Sequence, residues 1–111
     1  MTEQFDLNNE IQQLRGQDAY EHSGRCAKTL SKHANSRIVL TALKNGSRLQ
    51  EHKAEGRVSV HALMGRMRMR LPGETLELAA GNVVVLEPGV MHDLEALEES
   101  VFLLTVFWSK E

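Results

Sequence analysis

The hydrophobic pattern changes period near residue 24. In "FDLNNEIQQLRG", residues 5–16, Leu7, Ile11 and Leu14 recur at i, i+4 and i+7, which predicts one face of a short helix ended by Gly16. From Gly24 onward the apolar positions fall into runs of about five to nine residues, punctuated by Gly, Asn, Pro and Ser. The runs read RCAKTLSKH, SRIVLTALK, SRLQEH, RVSVHALM, RMRMRL, ETLEL, NVVVLE and SVFLLTVFW. Short strands at this spacing, with no long helical period between them, predict an all-β sandwich or barrel. The chain divides into an N-terminal helical segment, residues 1–23, and a single β domain, residues 24–111.

One hairpin is legible to the register. In "GRMRMRLPGETLELAAG" the pair Pro72-Gly73 forms a two-residue turn, with Pro fixing φ and Gly accepting positive φ. Pairing outward sets Met69 opposite Leu76, Met67 opposite Leu78 and, on the other face, Arg68 opposite Glu77. The stripe Arg66, Arg68 and Arg70 has two readings, a phosphate-binding ladder or a solvated salt-bridging face. Glu74 and Glu77 beside it favour the second.

Two runs do not alternate. "RIVLTALK" and "VFLLTVFW" are apolar on both faces, so both faces need cover. Phe102, Leu104, Val106 and Trp108 form one stripe, and Phe107 lies on the other. A barrel interior covers one face. The second needs the N-terminal helix, a neighbouring sheet in the same chain, or a second copy, and limited internal cover in so small a domain points to a homodimer.

Composition narrows the class. With 111 residues there is room for one core and not two. A net charge of −2 gives no electrostatic case for nucleic acid or an anionic membrane surface. Cys26 is the single cysteine, so no intrachain disulfide can form, which fits a reducing compartment. The opening "MTEQFDLNNEIQQL" carries acids where a signal peptide has basic residues, and no apolar run approaches the length of a membrane span. The expectation is a soluble cytoplasmic protein with no membrane partner.

The chemistry lies around two histidines forty residues apart. In "GNVVVLEPGVMH" a buried valine strand ends at a tight corner, and His92 opens the next strand. Upstream, "NGSRLQEHKAEGRVSVHALMG" carries His52. Here the sequence resembles the cupin superfamily, in particular its small single-domain members, over about residues 24–108. Gly46, His52 and Gly65 fall on the family's first motif, Gly, five residues, His-x-His, three or four residues, Glu, six residues, Gly. Gly81, Gly89 and His92 fall on its second, with Pro88 one residue beyond the family's proline position, which Glu87 holds. The resemblance implies an antiparallel β-barrel of jelly-roll (double-stranded β-helix) type behind a short N-terminal helix. It also implies that His92 points toward His52 in the barrel mouth.

The family's metal site takes two histidines and a glutamate from the first motif and a histidine from the second. In this chain Ala54 stands at the second-histidine position, Val58 at the glutamate position and Ala96 at the motif's asparagine. His52 and His92 remain, and a tightly held Fe, Mn, Ni or Zn ion wants at least three protein donors. For a third donor, Gln50 lies two residues from His52 on the same face of a regular strand, and His61 needs a bulge to turn inward. Glu51 has the wrong parity, and Glu55 lies in the loop "KAEG". His22 and His33 read as surface residues, and Cys26 as a small strand residue with no histidine placed beside it.

Two function classes stay open. One is a small-molecule-binding barrel, holding its ligand against His52, His92 and Gln50 between apolar walls that include Met67 and Met69, with Val58, Val60, Leu76 and Leu78 as further wall candidates. The other is a metal-dependent enzyme (dioxygenase, isomerase or lyase) using His52, His92 and a third donor.

Overall fold

The computed structural model describes residues 2–109; the outer ends of the two expected segments, residue 1 and residues 110 and 111, lie outside them. Nine strands carry the fold: β1 (Arg25–His33), β2 (Ser36–Leu43), β3 (Arg48–His52), β4 (Arg57–Met64), β5 (Arg66–Leu71), β6 (Glu74–Ala79), β7 (Val83–Leu86), β8 (His92–Ala96) and β9 (Ser100–Phe107). They form a five-stranded sheet in the order β1-β2-β9-β4-β7 and a four-stranded sheet in the order β3-β8-β5-β6, with every strand pair antiparallel. This is the expected all-β jelly roll.

The core lies between the sheets because one face of each strand is apolar. Val58, Val60, Ala62, Leu86, Phe102 and Val106 from the five-stranded sheet meet Met67, Met69, Leu78, Leu94 and Ala96 from the other, all buried. The β5–β6 hairpin has the expected register, with Met67 against Leu78, Met69 against Leu76 and Arg68 against Glu77. Its arginine face is an ion-paired surface. Arg66 meets Glu77 at 3.3 Å, and Arg70 meets Glu95 at 2.7 Å and Asp93 at 3.2 Å. Most of these partners come from β8 rather than from β6.

The cover for the two-faced strands divides three ways. Phe102 and Val106 turn inward and are buried in the chain's own core. Near the other end of the outer face, α1 (Leu7–Arg15) lays Ile11 and Leu14 on Leu40, Ala42 and Val101. Asp6 caps α1 by accepting a bond from the Asn9 amide at 3.2 Å, and Gly16 ends it, as the periodicity predicts. A second helix, α2 (Asp18–Ser23), has too short an apolar repeat to read from sequence; it adds the buried Tyr20 to the same cluster. What remains open is the β4–β7 side of this face, where Val83, Val85 and Phe107 are more than half exposed.

The corner at Gly65, between β4 and β5, accepts only glycine. Its φ is +80°, and a Cβ there would collide with the Glu99 carbonyl and with Ser100.

Candidate functional site

The end of the barrel where His52 and His92 lie is tied by a backbone bond between two connections. The β3–β4 loop and the β7–β8 loop are joined where the Gly89 amide donates to the Ala54 carbonyl at 2.9 Å. Gly89 takes φ +82° in this turn, so its amide is presented at a corner that other residues resist. The tie holds the last residue of β3 against the first of β8. His52 and His92 are direct cross-strand partners, with ring centroids 4.3 Å apart and planes inclined by 57°.

Each ring is oriented in the same way. His52 Nδ1 is 2.9 Å from the Gln50 carbonyl, and His92 Nδ1 is 3.0 Å from the Val90 carbonyl, in both cases two residues back along the chain. A carbonyl oxygen only accepts, so Nδ1 of each ring carries the proton and donates it. In the neutral ring this leaves the lone pair on Nε2, the atom farthest from the backbone. His92 is buried, whereas His52 is exposed at the rim. Burial holds the His92 imidazole below its ordinary value. The Val90 carbonyl opposes that shift, and the nearby His52 adds to it.

Below the pair lies a cavity of about 90 Å³ whose walls are Thr41, Leu49, Val60, Met69, Leu94, Phe102 and Leu104. Of the wall residues expected from the sequence, Val60 and Met69 are among these. Met67 is not: it is fully buried two pairs further from the turn, packed in the core beside Leu78 and Ala96. Thr41 and Leu49 carry no motif that marks them, and only the closing of the two sheets brings them to the cavity.

Gln50 is placed elsewhere, for a physical reason. The β3–β8 register shifts between Leu49 and His52, a bulge that puts these two on one face at a spacing of three. Period-two parity from His52 therefore fails, and Leu49 takes the inward place expected for Gln50. Gln50 is exposed and borders a surface groove with Arg48, Glu51 and Asp93. His61 lies on the outer face of β4, between Val83 and Leu103. His33 is exposed and bonded to Glu3 at 2.9 Å, and His22 is exposed.

The donor set does not fit a tightly held metal ion. Val58, at the glutamate position, is buried against Leu86 and Val106, and Ala54 packs on the core. Among the described residues no group of three His, Cys, Asp or Glu side chains is placed to hold a metal.

One residue past His92, Asp93 points to the outer face. It is buried beneath Arg48 from β3 (2.8 Å) and Arg70 from β5 (3.2 Å). The Arg48 guanidinium, with Arg70 adding to it, holds the Asp93 carboxyl below the usual carboxylate range. The pair clamps β3 and β5 onto β8, so a charged cluster on the outside fixes the strands that carry both histidines.

No family model matches the chain, and no curated protein is significantly similar to it. Solved structures are similar in fold. A conserved Streptococcus pyogenes protein of unknown function is 24% identical, with a TM-score of 0.75 over 86% of this chain and 88% of that one. A cupin-2 domain-containing protein from Shewanella frigidimarina is 13% identical, with a TM-score of 0.75 over 94% of each chain. Salicylate 1,2-dioxygenase from Pseudoaminobacter salicylatoxidans, in a structure with gentisate, is 16% identical, with a TM-score of 0.83 over 93% of this chain. This chain spans 32% of the dioxygenase's length. No helix is long and apolar enough to cross a membrane among the described residues. The fold is the cupin fold.

Proposed function

We propose that this protein binds a small hydroxyl-bearing molecule in the barrel mouth, with His52 and His92 as paired hydrogen-bond acceptors. The observation that carries the reading is the matched tether of the two rings: both Nδ1 atoms face backbone carbonyls, at 2.9 and 3.0 Å. Two neutral imidazoles fixed this way offer two Nε2 acceptors above an apolar cavity. They suit a ligand with two O–H donors, such as a diol or a hydroxylated enol. A carboxylate offers no donor and is the poorer match. Ligand contact falls to Met69, Thr41 and Leu49 rather than to Gln50 and Met67.

The test is NMR titration of 1,2-ethanediol into the protein at neutral pH, following the imidazole carbon-bound protons. Saturable shifts on both histidines, lost in His52→Ala and His92→Ala variants that keep the fold, are expected. Shifts that survive both substitutions would overturn the reading.

A second reading, a metal-dependent cupin enzyme, has one observation in its favour: the same tether presents both Nε2 lone pairs as metal ligands are presented. It needs a third donor that the described residues do not supply. Elemental analysis of tag-free protein after incubation with Fe(II), Mn(II), Ni(II) or Zn(II) separates the two. Near-stoichiometric metal that drops in both alanine variants favours the enzyme; absence of metal leaves the binding reading alone.

We place the protein in the cytoplasm, on its single cysteine, which suits a reducing compartment. We also infer a homodimer that covers the outer face around Val83, Val85 and Phe107, with Ser59 and Thr105 between them and Arg57, the cross-strand partner of Phe107, neutralised by Glu87.

A further inference from the structure

The cavity under His52 and His92 is small for a binding site. At about 90 Å³ it has the volume of roughly three water molecules, at ~30 Å³ each, whereas ligand pockets usually span ~300–1,000 Å³. A second space adjoins it. Between the edge strands β1 and β3 lies a cleft of about 430 Å³, lined by Ala19 and Ser23 of α2, Arg25 to Ala27 of β1, and Thr41 and Leu49. Thr41 and Leu49 line both spaces.

The cleft exists because the barrel is not zipped at this edge. β1 pairs with β2 and β3 pairs with β8, and no ladder joins β1 to β3. One side-chain bond, from Arg25 Nη1 to the Arg48 carbonyl at 3.3 Å, spans the gap. Toward the cavity the walls are Leu49 and the buried Thr41, and Ala27 is exposed at the open edge of the cleft. The cavity and the cleft together reach the usual size of a ligand site.

We propose that the ligand is amphipathic and occupies both spaces, with its hydroxylated head on His52 and His92 and an apolar tail passing Thr41 and Leu49 into the β1–β3 cleft. This deepens the binding reading above and rests on it. Leu49 then sets specificity: it lines both spaces, and the β3 bulge is what brings it to the inner face. Ala27 sets tail length, because it is the small residue of β1 paired with Thr41.

The experiment is a titration of wild type and Ala27→Trp with a series of 1,2-alkanediols from ethanediol to octanediol. NMR follows the two histidine rings for the head and the Thr41 methyl for the tail. In wild type the affinity should rise about threefold to fourfold per added methylene until the cleft is full, with the Thr41 methyl shifting from about the butanediol onward. Ala27→Trp, a change at an exposed edge position, should flatten that series. Leu49→Ala, which widens the passage, should steepen it. Equal chain-length dependence in wild type and Ala27→Trp, or a silent Thr41 methyl, would overturn the proposal and leave the head reading standing. If ethanediol leaves both rings unshifted, the binding reading fails and this proposal with it.

Discussion

His52 and His92 face each other across the β3–β8 ladder with ring centroids 4.3 Å apart, each held by a carbonyl two residues behind it. His92 makes folding sensitive to pH. Burial keeps the native His92 below its ordinary value of 6.5, so the unfolded chain takes up that proton first as pH falls. Stability is therefore full above about pH 6.5 and is lost as pH drops from there through the native value. The carboxylates with lowered values, Asp93 from 3.8 and Glu3, Glu87 and Glu95 from 4.5, act in a more acid range. Urea unfolding between about pH 7.5 and about pH 5 should show a decline that His92→Gln removes. An identical decline in that variant would assign it to other groups.

Gly65 and Gly46 are a matched pair for testing how the fold uses its glycines. Both have positive φ, +80° and +85°, but a Cβ on Gly46 meets nothing within 4 Å, whereas one on Gly65 runs into the Glu99 backbone and Ser100. Gly46→Ala should cost about 1–2 kcal/mol from backbone strain alone. Gly65→Ala adds a clash that side-chain movement cannot relieve and should cost clearly more, enough to lower the soluble yield. Thermal unfolding of the two variants checks this, and equal costs would show that the β4–β5 corner relaxes.

Met67 and Met69 separate packing from binding. Both are fully buried, two pairs apart on the β5–β6 hairpin, yet only Met69 borders the histidine cavity. Alanine at either position should cost about 2–5 kcal/mol, since each removes a buried side chain from a closed core. Only Met69→Ala should change diol affinity at His52 and His92. A binding change of the same size in Met67→Ala would place the cavity deeper than the geometry does.

These contrasts mark what was legible in the chain. The Pro72-Gly73 hairpin was readable to the residue because two alternating patterns and a two-residue turn permit one register, and that register is present. The helix at Leu7–Arg15 was readable from three apolar positions and a terminal glycine. The approach of His52 to His92 was not readable from spacing, because forty residues of chain separate them. Motif resemblance supplied it. Gln50 was misplaced because strand parity assumes a regular ladder, and the bulge between Leu49 and His52 shifts the face by one. Nothing local in "SRLQEH" announces that bulge. Thr41 and Leu49 escaped for a related reason: they acquire their place only when two sheets close over them.

The exposed Val83, Val85 and Phe107 give the dimer a direct test. Light scattering at tens of micromolar should give twice the chain mass for wild type, and Val85→Lys should return it to one chain without loss of thermal stability. A monomeric wild type would remove the dimer. A dimer unaffected by Val85→Lys would place the interface elsewhere.

Asp93 should matter to the histidines without touching a ligand. It sits under Arg48 and Arg70, its side chain only 8% exposed, and these two contacts link β3 and β5 to β8 on the outside of the sheet. β3 is an edge strand of five residues with an interrupted ladder, so the Arg48 contact is a large share of what holds His52 in register. Asp93→Ala removes two charge-assisted bonds and should cost about 1–3 kcal/mol. The arginines are more exposed and can turn to water, so Arg48→Met and Arg70→Met should each cost less. The two arginine changes should differ in location. Hydrogen exchange should quicken in β3 for Arg48→Met and leave β3 unchanged for Arg70→Met, because β5 is still paired on both sides, to β6 and β8. If β3 exchanges equally in both variants, its register depends on the loop bond between Gly89 and Ala54 and not on the outer clamp.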